Sequence, residues 1–400
     1  MKNSKEKETF SVLIPDGESW LSYSVQSCLA QIPGVEVIVL SNNTLDPMRF
    51  SRHTRQFYSY DQNVDDGQAK LAAIYDTLKR TKVDVVLPID TQTMRLLSEH
   101  KASVQALTAI APIPDVEAID IASNKWLLAK WLQEHQLPCP ATLLYRADKK
   151  FEQALQTLSF PVLLKPTQQV GDVGIGGRGI HIFDHPAALI EFCKDNATVE
   201  YVVQPFINGY DIDCSVLCQD GKIEAYTIQK GFMGGRGRFD PPAGIDLLHD
   251  DQTYDVINAL VAKMNWTGIA HFDLRYDEQD QQVKVIEINA RFWGSLLGSL
   301  CAGVNFPYVA CLAGLGRAIP KTSFRPLRYV NGGAAAKIRY QQCIGKKPAG
   351  VYFDHSALDF MMKDPWPKVV SYCFKAYSKA VSKLNGGTRG ASLYESKNKI

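Results

Sequence analysis

Residues 269–296, IAHFDLRYDEQDQQVKVIEINARFWGSL, gather hard oxygen donors at spacings suited to phosphate chemistry. A polar turn separates two apolar-rich stretches, which predicts a hairpin of two strands. Asp273 falls on the first strand. Glu287 and Asn289 fall on the second, with Arg291 just beyond. Side chains alternate across a strand, so Glu287 and Asn289 share one face and Ile286 and Ile288 the other. Pairing of the strands puts Asp273 beside Glu287. Such a donor set suits Mg²⁺ carrying a nucleoside triphosphate, because Mg²⁺ takes a few carboxylates plus phosphate and water oxygens. Nothing in the set is soft enough to favour zinc or copper. The alternative is a solvated acidic strand end. Against it, Glu287 sits in the apolar run VIEIN, where an unpaired carboxylate is costly to bury. The stretch that follows, ARFWGSLLGSLCAGVNFP, is rich in small residues, as where backbone approaches a ligand.

The elements that must position these groups divide into three expected domains, at 1–115, 116–318 and 319–400. In the first, FSVLIPD, VEVIVLS and VDVVLPID read as strands, with helices expected over 19–31, over 66–80 and through His100. Apolar strands alternating with helices predict a parallel sheet covered on both faces. Ligands of such sheets sit at the strands' carboxyl ends, here Asp16-Gly17, Ser41 and Asp90-Thr91. No GxGxxG follows the first strand, so the dinucleotide fingerprint is absent.

The second domain opens on a helix through Trp126, Leu127, Lys130, Trp131 and Glu134, with Ser123 as its expected N-cap and Pro138 and Pro140 beyond its end. A helix over 147–158, the strand FPVLLKP with Lys165, a Gly-rich turn, the strands of YVVQPFINGYDIDCSVL and KIEAYTIQKGF, and a helix over 251–264 precede the acidic hairpin. This pattern predicts an α+β domain with antiparallel strands. In the third domain GGAAAKIRY reads as a strand, and the tail from Asn385 is polar and Gly-rich.

Composition bounds the reading. The chain has 400 residues and a net charge of +2, which gives no global drive toward nucleic acid. It has neither a basic stripe nor a recognition helix. Its first residues lack the apolar core of a signal peptide, and no run of about 18 apolar residues predicts a membrane span. The nine cysteines show no CxxC pair, which predicts free thiols and a cytoplasmic location. Cys214 and Cys218 share a strand face and are expected in the core. Lysines and aromatics over 363–383 allow either peripheral contact with an anionic membrane or packing of the aromatic face with snorkelling lysines, of which packing is expected.

The Gly-rich segment GDVGIGGRG, residues 171–179, lies between strands and lacks the helix and Lys-Ser/Thr pair of a Walker loop. It reads as a flap whose backbone N–H groups cover phosphates, helped by Arg178, or as a plain hairpin tip. Taken together, the ordered motifs from about 120 to 316 resemble the ATP-grasp superfamily of carboxylate–amine ligases. SNKWLLAKWLQEHQLPCPAT is similar to the family's opening helix, whose lysine, here Lys125, contacts phosphate. VLLKP is similar to the strand whose lysine, here Lys165, reaches the α and β phosphates. The resemblance places Gly174, Gly176 and Gly177 in the flap. VVQPFINGYDIDCSV resembles the adenine hinge, with Gln204 meeting the adenine amino group, Phe206 and Ile207 lining the hinge and Asp211 holding the ribose hydroxyls. It implies Asp273, Glu287 and Asn289 as metal ligands and Arg291 facing phosphate or the acyl intermediate.

The resemblance has departures at three positions. Gln204 and Asp211 stand where Glu is commoner, and each keeps an acceptor. His271 stands where D-alanine–D-alanine ligases carry an arginine, and a neutral histidine does not replace that charge. The run EINARFWGSLLGSLCAGVNFP is most similar to carbamoyl-phosphate-synthase-like ligases. The implied chemistry uses ATP and Mg²⁺, with Mn²⁺ as an alternative. A small-molecule carboxylate becomes an acyl phosphate that an amine displaces, giving ADP and phosphate. Arg291 and Lys165 are expected to act on the phosphates. Arg236 and Arg238, in the loop 230–244, are expected to pair with a substrate carboxylate. Ser295 is a weaker candidate for substrate contact. Proteins of this kind are commonly homodimers. A kinase-like use of the same site, and a nucleotide-binding regulator without turnover, are the alternatives.

Overall fold

A computed structural model describes residues 9–61, 66–168, 179–235, 237–346 and 352–384. The flap glycines Gly174, Gly176 and Gly177, with Arg178 and Arg236, lie outside the described residues, as does the tail from Asn385. The chain divides into two compact units. One comprises 1–113, 292–321 and 330–400, and the other 114–291 and 322–329.

The first unit is built on a parallel sheet of β1 (Phe10–Ile14), β2 (Val35–Ser41), β3 (Thr54–Ser59), β4 (Val85–Val86) and β5 (Ala109–Ile110), in the order β3-β2-β1-β4-β5. Val12, Leu13, Ile14, Val37, Ile38, Val39, Val85 and Val86 are buried, as strands covered on both faces require. The expected helix over 66–80 forms at Asp66–Arg80, whereas the one expected over 19–31 is confined to Ser22–Leu29. β3 is an addition to the sequence reading. Its sequence TRQFYS is mostly polar because it lies at the sheet's edge.

At the carboxyl end of β1, Asp16 is fully buried. It accepts hydrogen bonds from Lys70 Nζ at 2.6 Å, from the Thr93 hydroxyl and from the Ile89 backbone N–H at 2.7 Å. Lys70 also pairs with Glu18 at 3.0 Å. Burial by itself lowers the pKa of Lys70, but Asp16 and Glu18 outweigh it and hold the ammonium above its usual range.

The segment GGAAAKIRY is a helix, Gly332–Cys343, and not the expected strand. Its alanines favour helix, and Asn331 caps it by accepting from Ala334 N at 2.9 Å. The strand lies just before it, as β15 (Leu327–Val330). Among the described residues no single helix is long and apolar enough to cross a membrane. Leu296–Ala302 and Phe306–Gly314 pass only as a pair bent by 88°. Most of their side chains are buried.

In the second unit a small sheet of β6 (Leu143–Leu144), β7 (Val162–Pro166), β8 (His181–Phe183) and β9 (Tyr201–Pro205) runs β6-β9-β7-β8, with its paired strands antiparallel. It packs through Val162, Leu164 and Val203 on Phe151, Leu155 and Leu189. The larger sheet contains β10 (Gly209–Gln219), β11 (Lys222–Met233), β12 (Gly244–Leu247), β13 (Gly268–Asp277) and β14 (Gln282–Asn289), in the order β14-β13-β10-β11-β12, with β15 beside β12. Its apolar face, with Ile212, Cys214, Val216, Phe272 and Leu274, buries against Ile257, Leu260 and Val261 of the helix Asp251–Met264 and against Trp266. Cys214 and Cys218 are both in this core, and every described cysteine is a free thiol. The other face is left for polar side chains.

Candidate active site

The expected hairpin forms, with Asp273 paired to Glu287 and His271 to Asn289 in the β13–β14 register. β10 lies on the other side of β13, pairing Asp213 with Asp273 and Ser215 with His271. Two polar rows therefore cross three strands on one face, Asp213–Asp273–Glu287 and Ser215–His271–Asn289. Period-two alternation is what selects these residues and sends Cys214, Phe272 and Ile288 into the core. Asn289 Nδ2 donates to Asp273 Oδ2 at 3.3 Å, and Arg291 Nη2 donates to Asn289 Oδ1 at 3.1 Å. Gln229, on β11, donates to Asp213 at 3.0 Å.

Asp213 is absent from the sequence reading. The signal was present in YDIDCSV, because Asp213 lies two residues after Asp211 and so on the same strand face. Its partners were not visible, since only the β10–β13 register brings it to Asp273.

Directly opposed like charges disfavour ionisation. Burial, joined by the charge of Asp211, pushes Asp213 up to about 7. Burial raises Asp273 well above the carboxylate range, even though 42% of its side-chain surface stays accessible. Asp213 and Glu287 raise it further, while Arg291 and Lys125 oppose them. Burial, with the nearby Arg291 charge, pushes His271 down to about 3. Its imidazole is therefore neutral near pH 7, and its 3.3 Å approach to Asp273 is not an ion pair. The other ring nitrogen lies 2.9 Å from the Ser215 hydroxyl.

Donor atoms of Asp213, His271 and Asp273 all lie within 4.8 Å of one another, with Glu287 and Asn289 adjacent in register. The donors are mainly carboxylate oxygens, and burial with neighbouring negative charge raises the pKa of Asp213 and Asp273, so the set fits a hard divalent cation.

Two lysines approach this face. The helix Lys125–Glu134 is capped by Asn124, whose Oδ1 accepts from the N–H groups of Trp126 and Leu127. Ser123, the expected cap, instead ends the preceding helix Val116–Ser123, because the chain breaks at Asn124. The cap places Lys125 at the first helical position, where its Nζ pairs with Glu287 at 3.2 Å. Lys165, on β7, is 6% exposed and donates to Gln204 Oε1 at 3.0 Å; the amide of Gln204 donates to Thr142. Burial, then the charge of Lys125, lowers Lys165 to about 8 against the pull of Glu287, Asp211 and Asp273.

The chain turns from β9 to β10 at Gly209. Its φ is +153°, and a Cβ there would stand 1.9 Å from the Tyr276 carbonyl, so only glycine fits. Arg275 holds the turn by donating to the carbonyls of Ile207 and Gly209, at 2.8 and 2.9 Å, and to Asp211 at 2.6 Å. The guanidinium groups of Arg275 and Arg238 lie 5.6 and 5.1 Å from the Phe206 ring. Arg238 is thus placed beside Phe206 of the expected hinge. Ser295 belongs to the other unit.

Residues 122–295, which contain both polar rows, match the family model of the ATP-grasp domain. This stretch is an ATP-grasp domain. The chain is similar to several ligases. A D-aspartate ligase of Enterococcus faecium is 29% identical over 312 residues, 73% of each chain. The large chain of carbamoyl phosphate synthase from Thermotoga maritima is 24% identical over 274 residues, 64% of this chain and 22% of that one. This chain therefore spans about a fifth of the synthase subunit. N5-carboxyaminoimidazole synthetase from Staphylococcus aureus, solved with ADP, superposes with a TM-score of 0.62 at 19% identity, over 80% of this chain and 82% of that chain. At that identity the superposition establishes the fold.

Proposed function

We propose that this ATP-grasp ligase activates the carboxylate of an amino acid with Mg²⁺-ATP and joins it to an amine. The observation that carries the reading is the row Asp213–Asp273–Glu287 facing Lys125, Lys165 and Arg291 on one sheet face. The similarity to a D-aspartate ligase over 73% of both chains supports an amino acid as the carboxylate substrate.

Asp273, Glu287 and Asn289 hold the cation, and Asp213 and His271 complete their surroundings. When bound, Mg²⁺ neutralises phosphate charge and orients the transferred group. Lys165 and Lys125 bind phosphate oxygens. Lys165 is mostly protonated at pH 7, and its ammonium, already fixed by Gln204, needs little reorganisation to bind them. Gln204, Phe206 and Ile207 border the adenine, and Asp211 receives the ribose. Arg291, fixed by Asn289, faces the charge that develops on the transferred phosphoryl group.

A substrate carboxylate oxygen attacks the γ-phosphorus, and the bond to the bridging oxygen breaks to release ADP. The amine lone pair then attacks the acyl carbon. The C–O bond to phosphate breaks, inorganic phosphate leaves and the nitrogen loses a proton. His271 has no charge to offer the tetrahedral intermediate, which leaves that task to Arg291.

The test is a product-resolved incubation of the full chain with Mg²⁺-ATP, D- or L-amino acids and pooled amines. The reading predicts ADP, phosphate and amide in equal amounts, only when both substrates are present. ADP with a phosphorylated product and no free phosphate would replace it with a kinase. Phosphate release indifferent to both substrates would also contradict it.

A further inference from the structure

The helix Trp366–Leu384, in the first unit, shows more apolar surface to solvent than its sequence requires. At 100° per residue, Trp366, Val369, Val370, Cys373, Phe374 and Tyr377 fall on one side. An amphipathic helix normally turns such a side inward. Here the fold anchors the helix by a different edge. Asp364, just before it, is buried and accepts from the Ser51 hydroxyl at 2.6 Å and from Arg52 N at 3.2 Å, while Tyr23 donates to its carbonyl. Pro367 is buried, and Lys368 Nζ lies 5.3 Å from the Tyr23 ring. With that edge held inward, Val370 and Phe374 are half-buried. Trp366, Val369 and Tyr377 are 60%, 43% and 69% exposed, and Cys373 is also exposed. The expectation that the aromatic face packs inward holds for Phe374 and fails for Trp366 and Tyr377.

Charge selects what covers this stripe. Residues 363–384 contain five lysines, and their one acidic residue is Asp364, already used inside the fold. A second copy seated on the stripe would bring two such lysine sets together, and like charges oppose that arrangement. An anionic lipid surface takes both features, with exposed aromatics entering the headgroup layer and the exposed Lys363 and Lys375 meeting its charge. We propose that the helix Trp366–Leu384 is a peripheral docking surface for anionic membranes.

The experiment is co-sedimentation of the full chain with vesicles of phosphatidylcholine alone or mixed with phosphatidylglycerol. Partition onto the mixed vesicles is expected to be at least about tenfold stronger and to weaken with added salt. The double variant Trp366→Ser/Tyr377→Ser is expected to weaken it about tenfold, and Lys375→Gln about fivefold, with melting temperature and ligase activity unchanged. All three side chains are exposed, so folding does not depend on them. Equal binding to neutral and mixed vesicles, or none to either, would overturn the proposal. So would a dimer in sedimentation velocity that the double variant dissociates, which would assign the stripe to a second copy.

Discussion

Two acidic clusters in this molecule end differently. Asp16, at the carboxyl edge of the parallel sheet, is fully buried, yet an ammonium, a hydroxyl and a backbone N–H converge on it. The row Asp213–Asp273–Glu287 sets carboxylates side by side on three strands and gives Asp213 neutral partners, the Gln229 amide on β11 and the Leu274 backbone N–H. The pKa values follow. Lys70 is held above its ordinary range, because its cluster is a closed ion pair. Asp213 and Asp273 are raised, first by burial and then by neighbouring carboxylates whose charge the local cations do not fully offset. A satisfied cluster stabilises a fold. An under-neutralised one stores binding energy for a cation and its phosphates.

The sharpest contrast comes from substitution. Glu287→Gln is expected to lower kcat by about a thousandfold or more, the scale for removing transition-state charge stabilisation, with the melting temperature unchanged or raised. Asp16→Ala is expected to do the reverse. Leaving Lys70 buried without its main partner costs about 3–5 kcal/mol of stability, read in chemical denaturation. A Glu287 variant that unfolds, or an Asp16 variant of full stability, would erase the distinction.

Lys165→Met is expected to weaken ATP binding by about ten- to a hundredfold, the range for a hydrogen bond to a charged group. The pH dependence has a definite sign. Lys165 is pushed down to about 8, so it loses its proton as pH rises through 8, and ATP affinity falls with it. Asp213 is pushed up to about 7, so the site gains its negative charge as pH rises through 7, and cation affinity rises. Calorimetric titrations of Mg²⁺-ATP between pH 6 and 9 should therefore show a maximum near 7–8; a flat profile would mean that neither group is coupled to the ligand. The smallest effect is expected for Asp211→Asn. Its side chain is 74% accessible and its pair with Arg275 is largely solvated, so ATP affinity should fall less than about fivefold.

How much of this was legible in the sequence depended on range. The Asp273–Glu287 pairing was legible because a short polar turn fixes a hairpin's register locally. Lys165, Gln204 and Asp211 were legible from ordered motifs. Asp213 was not, since its neighbours come from register across strands more than fifty residues apart. β3 escaped because an edge strand need not be apolar. GGAAAKIRY was misread because its small apolar run carries no period, and the cap at Asn331 decides the matter. The exposed stripe near the carboxyl end was legible as amphipathic, but which side faces the protein was set by Asp364, outside the helix.

The most direct measurement is calorimetric titration of ADP with and without Mg²⁺ into the wild-type chain and into Asp273→Asn. The account predicts that Mg²⁺ tightens binding to the wild type by more than about tenfold, because Lys125 and Arg291 only partly offset the charge of the acidic row. It also predicts that Mg²⁺ adds little to the variant, while ADP alone binds the two proteins alike. An equal gain from Mg²⁺ in both would show that the row Asp213–Asp273–Glu287 does not hold the metal, and would contradict the account.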